Sequence, residues 1–112
     1  MADESVVALI RRYLVALRTS GVDTRTAILF GSWAHGTATI LSDIDLVIVS
    51  PQFDRVVSRA DVDGLWRLAA RIDSRIEPVP CGERQWVEDR SSALLEIARR
   101  EGRAVPLQPD EI

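Results

Sequence analysis

Two short apolar runs, Thr26–Phe30 and Ile44–Val49, are joined by a link from Phe30 to Asp43 that is short for a parallel crossover, and this constrains the fold more than any other feature. Antiparallel pairing follows, and it puts the end of the first run beside the start of the second. Gly31-Ser32 closes the first run and Asp43-x-Asp45 opens the second, so a glycine-serine turn and two acids become neighbours. Alternate strand residues face the same way: Asp43 and Asp45 share a face, their Cα atoms roughly 7 Å apart, while Ile44 and Leu46 point into a core. Two carboxylates so placed converge on a hard, oxygen-seeking cation such as Mg²⁺.

The remaining pattern surrounds this pair with helices. Asp3 to Ser20 carries Val6, Ile10, Tyr13, Leu14 and Leu17 on one helical face, and Gly21 stops it. Ser58-x-x-Asp61 reads as a capping box opening a crossover helix with Val62, Leu65, Trp66, Ala69 and Ile72 on its face, although Gly64 inside it costs about 1 kcal/mol against alanine. Ile76 to Val79 is a third strand, which Pro78 and Pro80 confine to a sheet edge. A right-handed parallel crossover delivers its start to the same sheet end as the aspartates, so Glu77 joins them, held extended by the proline that follows. Ser91 or Ser92 caps a last helix with Leu94, Leu95, Ile97 and Ala98 and a stop at Gly102, and Ala104 to Leu107 forms a short edge strand. Helices packed on one face of a small mixed sheet, an α/β or α+β fold, are the expectation.

Composition bounds the function. A chain of 112 residues fits one domain spanning 1–112 and leaves little room for a second, substrate-holding one. Its net charge is −3, and its fourteen basic residues are all arginines spread along the chain, with no basic stripe, which argues against duplex nucleic acid as the principal ligand. One cysteine, Cys81, forms no internal disulfide, and neither a leader nor a long apolar stretch is apparent, so a soluble cytoplasmic protein without a membrane partner is expected.

Three acids at one point repel each other unless one is protonated or cations neutralise them. Two Mg²⁺ ions about 4 Å apart resolve that conflict, lowering the pKa of an attacking hydroxyl and steadying a leaving pyrophosphate. Gly31 lets backbone approach a phosphate, and Ser32 adds N–H and hydroxyl donors at the start of a helical turn. A nucleoside triphosphate suits such a site. Gly31-Ser32, Asp43-x-Asp45 and Glu77 together resemble the signature of the nucleotidyltransferase superfamily that includes the DNA polymerase β palm, and most closely its minimal nucleotidyltransferases, the MNT proteins. The similarity runs from about Thr26 through Leu107, including Arg100-Glu101-Gly102-Arg103 near the end.

The resemblance implies the palm-like fold, two Mg²⁺ ions held by Asp43, Asp45 and Glu77 as the catalytic acids, and ATP held by Gly31, Ser32, His35, Gly36 and Ser42. It also implies a partner, since MNT proteins commonly pair with HEPN proteins as toxin and antitoxin, the MNT moving AMP from ATP onto HEPN tyrosines to silence an RNase. His35 departs from the family's usual arginine or lysine, and a neutral imidazole steadies phosphate less well. Two alternatives remain open: an antitoxin of weak or no catalysis that acts by occlusion, and a small-molecule nucleotidyltransferase of the aminoglycoside-modifying kind. Self-association or a hetero-oligomer stays open as well.

Plainer roles suit the other residues. Asp73 at a helix end reads as a cap or solvated acid, Trp33 as packing for the short helix, Trp86 as a satellite-core residue or a half-exposed anchor for another chain, and Cys81 as inert.

Overall fold

In a computed structural model that describes residues 4–111, α1 (Glu4–Thr19) leads into a mixed sheet of four strands, ordered β3-β2-β1-β4. The strands are β1 (Thr26–Phe30), β2 (Ile44–Val49), β3 (Ile76–Cys81) and β4 (Arg103–Pro106). The expected helix start at Asp3 lies outside the described residues. β1 and β2 pair antiparallel with Thr26 opposite Val49 and Phe30 opposite Asp45. β3 lies parallel to β2 with Asp45 opposite Glu77, and β4 closes the other edge antiparallel to β1. Pro78 and Pro80, which have no N–H to donate to a ladder, thus sit on an edge strand, as their chemistry requires.

Alternation sorts the strand residues onto two faces. Ala27, Leu29, Ile44, Leu46, Ile48, Ile76 and Val105 form the main core with Val6, Ile10, Tyr13, Leu14 and Leu17 of α1 and with Leu65 and Ala69 of α3 (Arg59–Ile72). The buried Tyr13 hydroxyl donates 2.8 Å to the Leu65 carbonyl, fastening α1 to α3 without leaving a polar atom unpaired. The capping box of α3 is formed as expected: Asp61 N–H donates to Ser58 Oγ at 3.1 Å and Ser58 N–H to the Asp61 carboxylate at 2.9 Å. The two long helices therefore pack on one face. The opposite face carries a second, smaller core, where Ile28, Val47 and Cys81 meet Leu95 and Ala98 of α5 (Ala93–Glu101), so helical cover extends to both faces.

One helix is invisible to the sequence pattern. After Gly82 the chain forms α4 (Glu83–Glu88), and no side chain at its N-cap bonds the first turn. The cap comes from elsewhere: the Asp54 carboxylate, in a 3-10 turn (Pro51–Asp54) after β2, accepts from Arg84 N–H at 3.2 Å and Gln85 N–H at 3.3 Å. Gly82 leaves room for that carboxylate, since a Cβ there would overlap it. Asp54→Ala is expected to cost about 1 kcal/mol, the usual worth of an N-cap, and urea denaturation should show a lower midpoint at unchanged slope. A midpoint equal to the parent's would remove Asp54 from this role.

Candidate functional site

The register settles which residues meet. Phe30, Asp45 and Glu77 lie in one row across β1, β2 and β3, and Asp43 stands just before β2. This row belongs to the face that α5 covers farther along, so the acid end is left open and Asp45 and Glu77 are half-buried while Asp43 is exposed. Gly31 follows Phe30 with φ 75° and ψ −152°, a conformation essentially closed to residues with a side chain. It is also pressed against the Asp45 carboxylate, which a Cβ at this position would strike. The missing side chain is thus required twice, by the backbone and by the acid. From there the short α2 (Ser32–His35) turns away and ends at Gly36 in the left-handed region.

Crowding leaves a mark on the acids. The Asp45 carboxyl is pushed up by burial and then by the charge of Asp43. Glu77 is pushed up by burial, by Asp43 and Asp45, and by a hydrogen bond with Asp43. Among the described residues no three acid, histidine or cysteine side chains form a ready-made metal cage. The donor set nevertheless fits a hard divalent cation, because all the convergent groups are carboxylates and their mutual repulsion is what such a cation relieves. A carboxyl raised on folding adds stability that is full below its unfolded pKa and is lost as pH rises through its folded value. Glu77→Gln should therefore raise the melting temperature of chelator-treated protein at pH 7, and the gain should vanish below about pH 4, where the unfolded carboxyl is itself protonated. Melting scans in EDTA across that range decide it; a fall at pH 7 would mean Glu77 is not crowded.

The five residues expected around the phosphates fall into two groups. Gly31, Ser32, His35 and Gly36 follow one another through α2, next to the acids. Ser42 lies on the returning loop, where its hydroxyl accepts from Thr39 N–H at 2.9 Å and so helps fold the loop itself. His35 does not stand alone: its Nε2 lies 3.1 Å from the Glu101 carboxylate at the end of α5. Gly102 makes that meeting feasible, because a Cβ there would strike Ala98 O and Ile28, so the end of α5 lies hard against β1 just before Gly31. Sequence reading placed Glu101 in the ending that resembles the family but gave no sign of its meeting with His35, which comes only from tertiary packing.

Residues 10–110 match the model of the nucleotidyltransferase domain family. The chain belongs to that family. Two solved structures share the fold of this nucleotidyltransferase. One is a toxin-antitoxin crystallised with AMP-PNP, at 20% identity and a TM-score of 0.60, covering 90% of this chain and 76% of that one. The other is a mutant of the toxin-antitoxin MntA–HpeT, at 18% identity and a TM-score of 0.59, again covering 90% and 76%. No curated protein matches the sequence.

Around the acid end, the nucleotidyltransferase uses its other polar residues for support. Asp73, the rival acid, caps the end of α3 and pairs with Arg75, accepting from Nε at 3.0 Å and Nη2 at 2.8 Å, and Arg75 holds its carboxyl below the usual range. Arg75 also donates to Ile40 O at 3.1 Å and lies over the Trp33 ring at 5.9 Å. Trp33 packs against the main core and donates from Nε1 to Ser42 O at 3.3 Å. The loop before Asp43 is thus pinned by an arginine and a tryptophan, with Ile40 and Leu41 standing out at 79% and 85% exposure. Trp86 packs against the second core under the Arg99 guanidinium, 5.0 Å away, and Cys81 is buried with its thiol pushed up to about 11. Among the described residues no helix is long and apolar enough to cross a membrane.

Proposed function

We propose that this nucleotidyltransferase, a single domain over residues 1–112, is an antitoxin that moves AMP from ATP to a tyrosine hydroxyl of a HEPN-type toxin RNase. The carrying observation is the row formed by Asp45 and Glu77 with Asp43 beside it, set against the glycine turn Gly31-Ser32. Asp43, Asp45 and Glu77 would hold two Mg²⁺ ions. When bound, these supply charge neutralisation, a more acidic acceptor hydroxyl and a steadied pyrophosphate. Gly31 and Ser32 present backbone N–H groups and a hydroxyl to the triphosphate, with His35, Gly36 and Ser42 completing the nucleotide set. Glu77 would take the proton of the acceptor hydroxyl and direct its oxygen toward the α-phosphorus; that oxygen forms the new P–O bond as the bond to the departing pyrophosphate breaks. A toxin partner is supported by the fold shared with the two toxin-antitoxin structures, one of them crystallised with AMP-PNP. The site on this reading works in the cytoplasm, where ATP and an RNase target are both found.

The test supplies α-labelled ATP, Mg²⁺ and the purified partner. Label is expected on the partner, with none after EDTA treatment or when the partner's acceptor tyrosines are phenylalanine. A toxin silenced without label would instead favour occlusion, and label on an aminoglycoside but not on protein would favour the small-molecule reading.

A further inference from the structure

Two apolar residues at the rim of the acid end have no role inside the chain. Ile40 and Leu41 stand 79% and 85% exposed, and Leu41 comes two residues before Asp43. Among the described residues they are the only neighbours in sequence that are both large, apolar and exposed. A lone exposed aliphatic is ordinary on a protein surface, whereas an adjacent pair at the mouth of a site calls for a reason.

The turn that carries them is held from within and from without. Thr39 O accepts from Ser42 N–H at 3.0 Å, and Thr39 Oγ1 accepts from Leu41 N–H at 3.3 Å. From outside the loop, Arg75 Nη1 donates to Ile40 O, and Asp73 fixes that guanidinium in turn. The tip is thus presented in one shape, which removes much of the ordering cost of binding. Its polar groups are engaged in keeping that shape, down to the Thr37 hydroxyl, which donates to Ser32 O at 3.4 Å. Trp33 packs against the main core with Arg75 over its ring, so the tip offers a nucleobase no free aromatic face on which to stack. What projects is small, rigid and apolar. A polyhydroxylated or polycationic small acceptor needs placed polar partners, whereas an apolar patch on a folded protein does not.

We propose that Ile40 and Leu41 seat in an apolar depression beside the acceptor tyrosine of the partner protein and so select which protein receives the nucleotide. The identity of that partner rests on the transfer reading above. Position supplies the link between the loop and the acceptor: a hydroxyl delivered to Asp43, Asp45 and Glu77 brings the surface that carries it over a loop tip two residues away. On the neighbouring sheet edge, Pro78 and Pro80 lack ladder N–H groups, so side-chain contact rather than an added strand is the mode this end favours.

Steady-state transfer to the purified HEPN-type toxin, with direct titration of the same toxin, tests this. Ile40→Ser with Leu41→Ser should raise KM for the toxin about a hundredfold, the loss expected when two aliphatic side chains no longer leave water on binding. Its kcat and its KM for ATP should match the parent's, because the lost contact is shared by ground and transition states. Ile40→Leu with Leu41→Ile keeps the apolar area and should stay within about threefold of the parent. Both variants should melt within about 4 °C of the parent, as exposed positions allow. A serine variant whose KM and Kd for the toxin stay within about twofold of the parent's overturns the proposal, as does a toxin that fails to bind the parent. Weaker AMP-PNP binding by the serine variant would make the tip part of the nucleotide seat and overturn it too, as would self-association of the parent that the serine variant lacks. The two readings fail separately. Transfer with an unchanged KM for the toxin sinks the docking site alone, while toxin binding that needs Ile40 and Leu41, with no transfer by the parent, sinks the transfer reading and leaves the docking site standing.

Discussion

Replacing Asp43 and Asp45 together by asparagine should lower nucleotide transfer at least about a thousandfold, equivalent to some 4 kcal/mol of lost transition-state stabilisation. Amide oxygens are neutral and bind a hard divalent cation poorly, so the change removes charge while keeping shape. Loss of fold is the ordinary objection to such a result, and the electrostatics answer it in advance. Asp45 and Glu77 are both pushed up by burial and by their neighbours' charges, so removing charge relieves repulsion in metal-free protein. The double variant should therefore melt in EDTA no lower than its parent, while Mg²⁺ should stabilise the parent and leave the variant unmoved. Transfer within tenfold of the parent's would exclude these acids from the chemistry. A variant that loses transfer and still silences the toxin would divide binding from catalysis.

Much of this arrangement is legible in the sequence because it depends on short-range rules. Strand alternation and the short link after Phe30 place Asp43, Asp45 and Gly31 together, and β1 and β2 occupy the residues the pattern predicts. The capping box at Ser58 starts α3 where its local hydrogen bonds dictate, and the prolines send β3 to an edge. What escapes is what depends on distant residues. The side-chain cap on the first-turn N–H groups of α4 comes from Asp54, across the whole of α3, and the only local device is Gln85 reaching back to the Gly82 N–H, a weak signal without a capping side chain at Gly82. Helical periodicity marks Leu94, Leu95, Ile97 and Ala98 as one apolar set, but only Leu95 and Ala98 are buried, on the face opposite α1 and α3. A period says which side of a helix is apolar; it does not say which face of a sheet receives it. The pairing of His35 with Glu101 is of the same kind, since it depends on Gly102 allowing α5 to end against β1.

Gly31→Ala should be the most damaging single substitution outside the acids, and Gly36 provides its control. Both glycines have φ 75°, but ψ is −152° at Gly31 and 16° at Gly36. The second pair of angles is the left-handed region that asparagine tolerates, and a Cβ at Gly36 meets nothing within 4 Å. The first is a region essentially reserved for glycine, where a side chain costs about 1–3 kcal/mol in strain. At Gly31 the methyl group also displaces the Asp45 carboxylate, which it would otherwise overlap. Stability should fall by about 2–3 kcal/mol, and transfer by about a hundredfold or more, because a misplacement near 1 Å at a reacting centre costs that much. Gly36→Asn should change stability by less than about 1 kcal/mol. Urea denaturation and initial rates at saturating ATP, measured side by side, make the comparison. If Gly31→Ala proves as stable and as active as Gly36→Asn, the contact between the glycine turn and Asp45 is not what holds the phosphates against the acids.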